Sequence, residues 1–520
     1  MHQTMLDQAL EHHGHGRLKE AEQLYRQILA SDPGNADCLH LLGMVAFQSG
    51  DSETAASMIR EAIAANPNAA SYHSNLGNVL QQQGYARDAA ASYLQALRIK
   101  PNLAETQVNL ANIFLAAGEP EQAIVWYQSA IALNPNLPEA HKNLGDAFLS
   151  QKKLELAADA YRRALALKPD YVDAMSELGG VLRGNGELDE ALLHLREAQR
   201  IQPNHPTAIF REAMILLLQG QFAAGWQCYQ GRWESTDHAT PMRDYPQPFW
   251  QGEAIAEGTV LLWPEQGVGD EIMFAGMLPD AIRTGSRFVL ECDARLEPLF
   301  QRSFPEIEVT SDREAVLDPK RYIGAHLPMG SLPSLFRTDR DSFLASSSPY
   351  LKADPKKAAD LRASYGDDRL RVGLAWHSNN LKTGRNRSIE LENLSPLFSL
   401  SGLRWISLQY GAQKDLENEI AAAQSPVFVD PAVDQLSSID DFAAQVAALD
   451  LVITIDNTTA HLAGALGVPV WVLLPFAPDW RWLATGNNSV WYPSMRFFRQ
   501  PQRGDWESVV LRVREALSEL

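Results

Sequence analysis

Prolines stand at Pro33, Pro67, Pro101, Pro135, Pro169 and Pro203, each 34 residues after the one before. Two sets of alanines keep the same step: Ala21, Ala55, Ala89, Ala123, Ala157 and Ala191, then Ala62, Ala96, Ala130, Ala164 and Ala198. Leu-Gly recurs at 42–43, 76–77, 144–145 and 178–179, with Leu110-Ala111 between, and tyrosines fall in register at Tyr25, Tyr93, Tyr127, Tyr161 and Tyr229. A fixed period of this length restricts the chain to a stack of like helix pairs, none of which buries its apolar face alone. Small residues let paired helices approach closely. The proline ends the second helix and opens the turn to the next pair. The tyrosine is expected to pack between neighbouring pairs.

This pattern resembles the tetratricopeptide repeat. Six repeats run from about residue 2 to 205, and a degenerate seventh reaches about 237, with Gly225 in place of its first alanine and Arg232 in place of its second small residue. A terminal repeat is atypical because it caps the stack. The expected product is a curved α solenoid whose concave face is lined by the first helix of each pair. Asn75, Asn109 and Asn143 are also 34 apart, and Asn78, Asn112 and Asp146 follow three residues later, one turn on along the same face. A primary amide both donates and accepts, so it can bond a peptide backbone whatever its side chains. The ladder resembles the one in the repeat arm of eukaryotic protein O-GlcNAc transferases, which holds acceptor peptides. Asparagine is also tolerated beside Leu-Gly in many such repeats for structural reasons alone, but the peptide-binding place is the leading expectation.

The period stops after about residue 237, where "TPMRDYPQPFWQGE" reads as a junction packed by Trp226, Trp233 and Trp250. Short β-rich runs then alternate with helical ones: Val260–Trp263, Arg287–Glu291, Arg371–Ala375, Trp405–Leu408, Leu451–Ile455 and Val468–Leu474. Such alternation predicts parallel strands with crossover helices, and continuous apolar runs such as "LVITI" suit strands covered on both faces. The polar stretch "PYLKADPKKAADLRASYGDD" marks a boundary between two α/β halves. The expected domains are a solenoid over 1–237, a first Rossmann-like half over 238–350 and a second over 351–520.

Composition narrows the function. The net charge is −19 with no basic stripe, which argues against nucleic acid as a partner. Cys38, Cys228 and Cys292 lie far apart, which is neither a disulfide framework nor a zinc spacing. The N-terminus lacks the apolar stretch of a secretory signal, and no apolar run reaches the ~18 residues that span a bilayer. The expectation is a soluble cytoplasmic protein.

Ligands of doubly wound sheets bind beyond the carboxyl ends of the strands, and three such ends are polar here. In "WPEQGVGDEIMFAGML" (263–278) a glycine-rich loop leads to Asp270 at the start of a helix. Asp270 there is either a functional carboxylate or a helix cap. In "GLAWHSNNLKTGRNRSIEL" (373–391) the cations Lys382, Arg385 and Arg387 cluster after a strand, as a phosphate site needs and as a solvated loop also allows. In "DLVITIDNTTAHLAGALGVPVWVLLP" (450–475) a buried strand ends in Asp456-Asn457-Thr458-Thr459. Asn457, Thr458 or Thr459 can cap the next helix and Gly467 can end it, leaving first-turn N–H groups ready for phosphate. A helix cap explains the threonines but not a charge at the end of a buried strand.

"ITIDNTTAHLAGALGVPVWVLL" and "GVGDEI" resemble two signatures of the bacterial heptosyltransferase-like glycosyltransferases, in the same order. With "HLPMGSLPSLF", "RSIEL", "DWRWL" and "WYPSMRFFRQ", the whole chain resembles bacterial proteins that fuse tetratricopeptide repeats to such a domain, flagellin glycosyltransferases among them. The resemblance implies a GT-B architecture, two Rossmann-like halves with the active site in the cleft between them. It implies a nucleotide-sugar donor held mostly by the C-terminal half, no metal, no cofactor, and a C-terminal helix (about 505–519) packed back on the N-terminal half. It makes Asp270 the catalytic base of a single inverting displacement, with Glu265 in reserve. Arg387 takes the donor phosphates, with Lys382 and Arg385 nearby, and Asp456 bonds sugar hydroxyls. Asn457, Thr458 and Thr459 cradle phosphate. His461, one turn further, faces the donor or serves the structure. Asn457 departs from the family's usual threonine or serine. Asp339-Arg340-Asp341 is a surface loop, and Trp480 and Trp482 stack on a base or fill the core.

The leading expectation is a glycosyltransferase that moves sugar to a hydroxyl of a protein recruited by the repeats, such as flagellin. The alternatives are transfer to a surface polysaccharide or lipid-linked glycan, and a repeat scaffold whose cleft has decayed.

Overall fold

The computed structural model describes residues 2–520 apart from 239, 317–320, 345–348, 367 and 379–383. It divides into two compact units, residues 1–185 and 186–520.

The first unit is an α solenoid of antiparallel helix pairs: α1 (His2–Gly14) and α2 (Leu18–Ser31), α3 (Ala36–Gln48) and α4 (Ser52–Ala65), α5 (Ala70–Gln82) and α6 (Ala86–Ile99), α7 (Ala104–Ala116) and α8 (Pro120–Leu133), α9 (Pro138–Ser150) and α10 (Leu154–Leu167), then α11 (Val172–Asn185). Within a pair the turn needs one residue at positive φ. Gly16, Gly50, Gly84 and Gly118 supply it, and Lys152 takes the same place at φ 59°. The periodic alanines and tyrosines are buried. The tyrosine, however, does not pack between pairs. It lies on the Leu-Gly position of its own pair, 16 residues earlier: a Cβ on Gly145 would come within 2.6 Å of the Tyr161 ring, and one on Gly77 would strike Tyr93. Glycine recurs in the first helix because an aromatic ring of the second helix lies flat against its backbone.

The second unit opens with α12 (Leu188–Ile201), α13 (Pro206–Leu218) and α14 (Phe222–Tyr229). The end of the repeat series therefore groups with the α/β part. The reason is apolar: Phe210, Leu217, Phe222, Trp226 and Tyr229 share one core with Trp250, Ile272 and Trp480. Trp226 donates its indole N–H to the Arg337 carbonyl at 2.8 Å and stands edge-on to Trp480.

Nine strands follow among the described residues, all paired in parallel: β1 (Thr259–Trp263), β2 (Phe288–Glu291), β3 (Glu308–Thr310), β4 (Ile323–Pro328), β5 (Leu370–Ala375), β6 (Leu403–Ser407), β7 (Leu451–Ile455), β8 (Val470–Leu474) and β9 (Met495–Arg499). One sheet runs β3-β2-β1-β4 and the other β6-β5-β7-β8-β9. Each sheet starts in its middle and grows both ways, so strand order reverses between β1 and β4 and between β5 and β7. Three helices matter for the site: α15 (Val268–Ala275) after β1, α16 (Thr458–Leu466) after β7 and α17 (Trp506–Ser518) at the end. α17 does not pack on the first sheet's half. Val509, Val510, Val513 and Leu517 bury against Val372, Leu374, Trp471 and Phe498 of the second sheet, because their apolar stripe follows directly after β9 and reaches the nearest open face. Among the described residues no helix is long and apolar enough to cross a membrane.

Candidate functional site

The polar strand ends converge at the two reversal points, where open α/β sheets leave a crevice. β7 delivers Asp456, buried to 5% exposure. Its backbone carbonyl accepts from Arg387 Nη1 at 2.9 Å, and the same nitrogen lies 3.3 Å from Asp456 Oδ1. Burial pushes the Asp456 carboxyl up, while the Arg387 charge opposes it. Residues 69 positions apart thus meet beyond neighbouring strands. Lys382 lies outside the described residues, as does the side chain of Arg385.

Asn457 caps α16: its Oδ1 accepts from Ala460 N at 3.3 Å and from the Thr454 hydroxyl at 3.0 Å. Gly467 ends the helix in the left-handed conformation at φ 76°. Asn457 Nδ2 and the Thr459 hydroxyl are buried with no partner among the described residues. Such orphaned groups cost about 1–3 kcal/mol each unless a ligand or water meets them. Thr458 turns toward α15, where a Cβ on Gly269 would sit 3.2 Å from its hydroxyl and 3.4 Å from the His461 ring. His461 is buried, bonds Tyr492 Oη through Nδ1 at 3.0 Å and stacks on Trp482 at 4.9 Å between centroids. Burial, then the Arg481 charge, lower its pKa to about 3, so the ring is neutral. Trp480 and Trp482 are both core residues.

Asp270 is the third residue of α15. Its Oδ2 accepts from Gly267 N at 3.2 Å, the carboxylate half of a capping box. Its other oxygen is paired with Arg481 Nη2. Asp270 is therefore both a cap and a charged partner across the crevice. Glu265 is differently placed. Arg232 grips it bidentately, Nε to Oε2 at 2.8 Å and Nη2 to Oε1 at 2.9 Å, with both side chains fully enclosed. Burial is the larger influence and raises its pKa, against the arginine. With both oxygens occupied and no path to solvent, Glu265 is a poor reserve for proton transfer. It ties the turn after α14 to the end of β1.

Two further residues, Arg481 and Asp479, belong to the site; they stand in the "DWRWL" motif, in which the sequence assigns neither charge a role. Asp479 Oδ1 accepts from Arg481 Nη1 at 2.6 Å and from its backbone N–H at 3.1 Å, and the guanidinium lies 4.5 Å from the Trp480 ring centroid. The signal the sequence does offer is a lone cation inside the aromatic run "PDWRW". The site thus sets two guanidiniums, from Arg387 and Arg481, beside the N-terminus of α16, with Asp270, Asp456 and Asp479 among them. Forked donors beside a helix N-terminus suit a phosphorylated ligand, and the carboxylates suit hydroxyls or a proton.

The asparagine ladder lies in the first unit and is internally bonded. Asn109 Nδ2 donates to Asn78 Oδ1 at 3.0 Å and Asn143 Nδ2 to Asn112 Oδ1 at 2.9 Å. Tyr93, Tyr127 and Tyr161 donate to Asn78, Asn112 and Asp146 at 2.8, 2.6 and 2.7 Å. Asn75 pairs with His40. All six side chains are half-buried, and Asn78 and Asn112 each use an acceptor oxygen to hold the asparagine of the next repeat.

Comparison with known proteins identifies the repeats. Family models described as tetratricopeptide repeat match residues 12–78, 70–103 and 143–206, and one described as TPR repeat matches 111–152. Tetratricopeptide repeats are present in this chain. Protein FlbA of Caulobacter vibrioides is 35% identical over 335 residues, which cover 59% of this chain and 54% of that protein. The chain thus spans about half the length of this curated relative. Among solved structures, MamA is 26% identical over 31% of this chain and 95% of its own, with a TM-score of 0.30. YrrB, described as a TPR protein with an unusual peptide-binding site, is 21% identical over 36% of this chain and 95% of its own, with a TM-score of 0.33.

Proposed function

We propose that the chain is a glycosyltransferase of GT-B architecture that moves a sugar from a nucleotide-sugar donor to a hydroxyl of a protein recruited by the repeats. The observation that carries this reading is the meeting of Arg387 with Asp456 at the β5–β7 reversal, beside the capped N-terminus of α16 and its two orphaned polar atoms. Arg387 and the first-turn N–H groups of α16 hold the donor phosphates, and Asp456 takes sugar hydroxyls. Asp270 receives the acceptor proton as the acceptor oxygen attacks the anomeric carbon. The repeats supply the protein substrate, since stacked helix pairs present extended binding surfaces and tethering raises the acceptor's local concentration.

A second reading, a protein-binding scaffold with an idle crevice, draws on the pairing of Asp270 with Arg481. One experiment separates the two: thermal shift of the full chain against a panel of nucleoside diphosphates, CMP and nucleotide sugars, repeated with Arg387→Ala and Asp456→Asn. A stabilising nucleotide whose effect both variants lose supports the transferase. A folded chain that answers to none of the panel supports the scaffold.

A further inference from the structure

We propose that Arg481 is a second donor-phosphate residue, held on Asp270 until the donor arrives: the incoming diphosphate takes the outer edge of the guanidinium and releases the Asp270 carboxylate to act as base. This rests on the transferase reading above.

The geometry divides the guanidinium into a fixed edge and an exchangeable one. Nη1 is bound to Asp479, two residues away in the same turn, and Asp479 also accepts the Arg481 backbone N–H. Nη2 faces Asp270 and, at 3.2 Å, Gln266 Oε1, both on the other side of the crevice. A phosphate oxygen presents the same acceptor to an arginine fork as a carboxylate does. Exchange at Nη2 leaves the Asp479 pair untouched, so the arginine need not leave its place.

The pair also sits where the donor phosphates are proposed to lie. Gly269, next to Asp270, touches Thr458 and His461 in the first turn of α16. Among the described residues of the site, three carboxylates share two guanidiniums. A diphosphate entering that balance needs a carboxylate to give up its cation, and Asp270 is the one bound from across the crevice. The Asp270 oxygen so freed accepts the proton of the acceptor hydroxyl. The acceptor oxygen forms its bond to the anomeric carbon, and the bond to the diphosphate breaks with its electron pair on the leaving oxygen, between Arg387 and Arg481.

The backbone around Arg481 is built to hold it still. Leu483, two residues on, lies at φ 55° and ψ 163°, a region that is essentially glycine's. Arg499 fixes that strained peptide through the carbonyls of Trp482 at 2.6 Å and Leu483 at 3.0 Å. Ala484 N donates to the Leu218 carbonyl of α13 at 2.8 Å. Gln266, the other partner of Nη2, also has positive φ, at 67°. Strain of this kind persists only where the surroundings over-determine it, and it clusters at ligand clamps.

The test is calorimetric binding of UDP, GDP, ADP, dTDP and inorganic pyrophosphate to the full chain and to Asp270→Asn, Arg481→Gln, Arg481→Lys, Arg387→Ala and the double variant Asp270→Asn/Arg481→Gln. Asp270→Asn is expected to tighten the nucleoside diphosphate that wild type binds by about tenfold, the worth of one charge-assisted bond. Arg481→Gln is expected to weaken it by a similar factor, and Arg481→Lys to fall between. The double variant is expected to match Arg481→Gln, because the gain from removing Asp270 acts through Arg481. An arginine with only a structural role predicts no gain in Asp270→Asn. If Asp270→Asn binds no tighter, or its gain survives Arg481→Gln, the exchange is wrong even though loss of binding in Arg387→Ala keeps the donor site. If wild type binds none of the five ligands, the donor reading fails and takes this proposal with it.

Discussion

In residues 1–185 the turns of four helix pairs place Gly16, Gly50, Gly84 and Gly118 at φ between 72° and 88°, one every 34 residues, and Lys152 takes the place in the fifth. In residues 186–520 the positions at positive φ beside the candidate site, Gln266 and Leu483, are not glycine at all. Hydrogen bonding divides less cleanly. The ladder of Asn78, Asn109, Asn112 and Asn143 bonds onward from repeat to repeat, but Gln107 Oε1 and Gln151 Oε1 of the repeats, like Asn457 Nδ2 and the Thr459 hydroxyl at the candidate site, are buried without a partner among the described residues. Each repeat meets a near-copy of itself, so a residue that costs free energy at one place costs it at every place, and the period settles on glycine at four of its turns, Lys152 being a single departure. The strand ends occur once. There an unfavourable backbone or polar group is tolerated because a specific neighbourhood holds it, and such places are where ligands are met.

Arg232 offers the largest way to break this contrast, for it stands where the repeat wants a small residue and is buried against Glu265. Arg232→Met leaves a buried carboxylate unpaired and is expected to cost about 3–5 kcal/mol, while Arg232→Met/Glu265→Leu recovers most of it. Urea unfolding followed by tryptophan fluorescence, which reports Trp226, Trp233 and Trp263 around the pair, measures both. A single-variant loss under about 1 kcal/mol would mean that the last repeat is held by its apolar contacts alone.

His461 gives the next effect, in acid. Its folded pKa of about 3 lies below the ordinary 6.5, so the unfolded chain takes up a proton that the folded chain refuses. The stability due to the neutral ring is complete above pH 6.5 and is lost as pH falls toward 3, the loss reaching about 3 kcal/mol by pH 4. His461→Asn, which keeps a partner for Tyr492, is expected to be less stable than wild type at pH 7 but to lose less between pH 7 and 4. Parallel stability curves for the two chains would show that His461 does not titrate on unfolding.

The smallest effect sharpens the repeat side. Lys152 occupies a glycine position at φ 59°. Lys152→Gly is expected to gain about 0.5–1 kcal/mol, as relief of the left-handed backbone outweighs the added freedom of the unfolded chain. A lower melting temperature for this variant would mean that the lysine side chain contributes more than its backbone costs.

Much of the fold is legible in the sequence, and for local reasons. The 34-residue step names the helix pairs, because proline, glycine and small residues act within a turn or two of themselves. Asn457 at the start of α16 and Gly467 at its end follow from the same short-range chemistry. The apolar runs mark six of the nine described strands, and the polar ends of β5 and β7 point to Arg387 and Asp456. The period misplaces the tyrosines, since it says that a contact repeats and not which helix makes it. The amphipathic stripe of α17 misleads in the same manner, because it does not name the surface that covers it.

By itself the sequence determined the repeat, the alternation of strand and helix, and which residue types stand at the strand ends. Tertiary structure decided the pairings: Arg481 with Asp270 across 211 residues, Arg232 with Glu265 across 33, and Arg387 with Asp456 across 69. Backbone preference and capping act over a few residues and leave a spacing behind. Charges on separate loops meet because buried sheets and helices bring them together, and that meeting has no period for a sequence to carry.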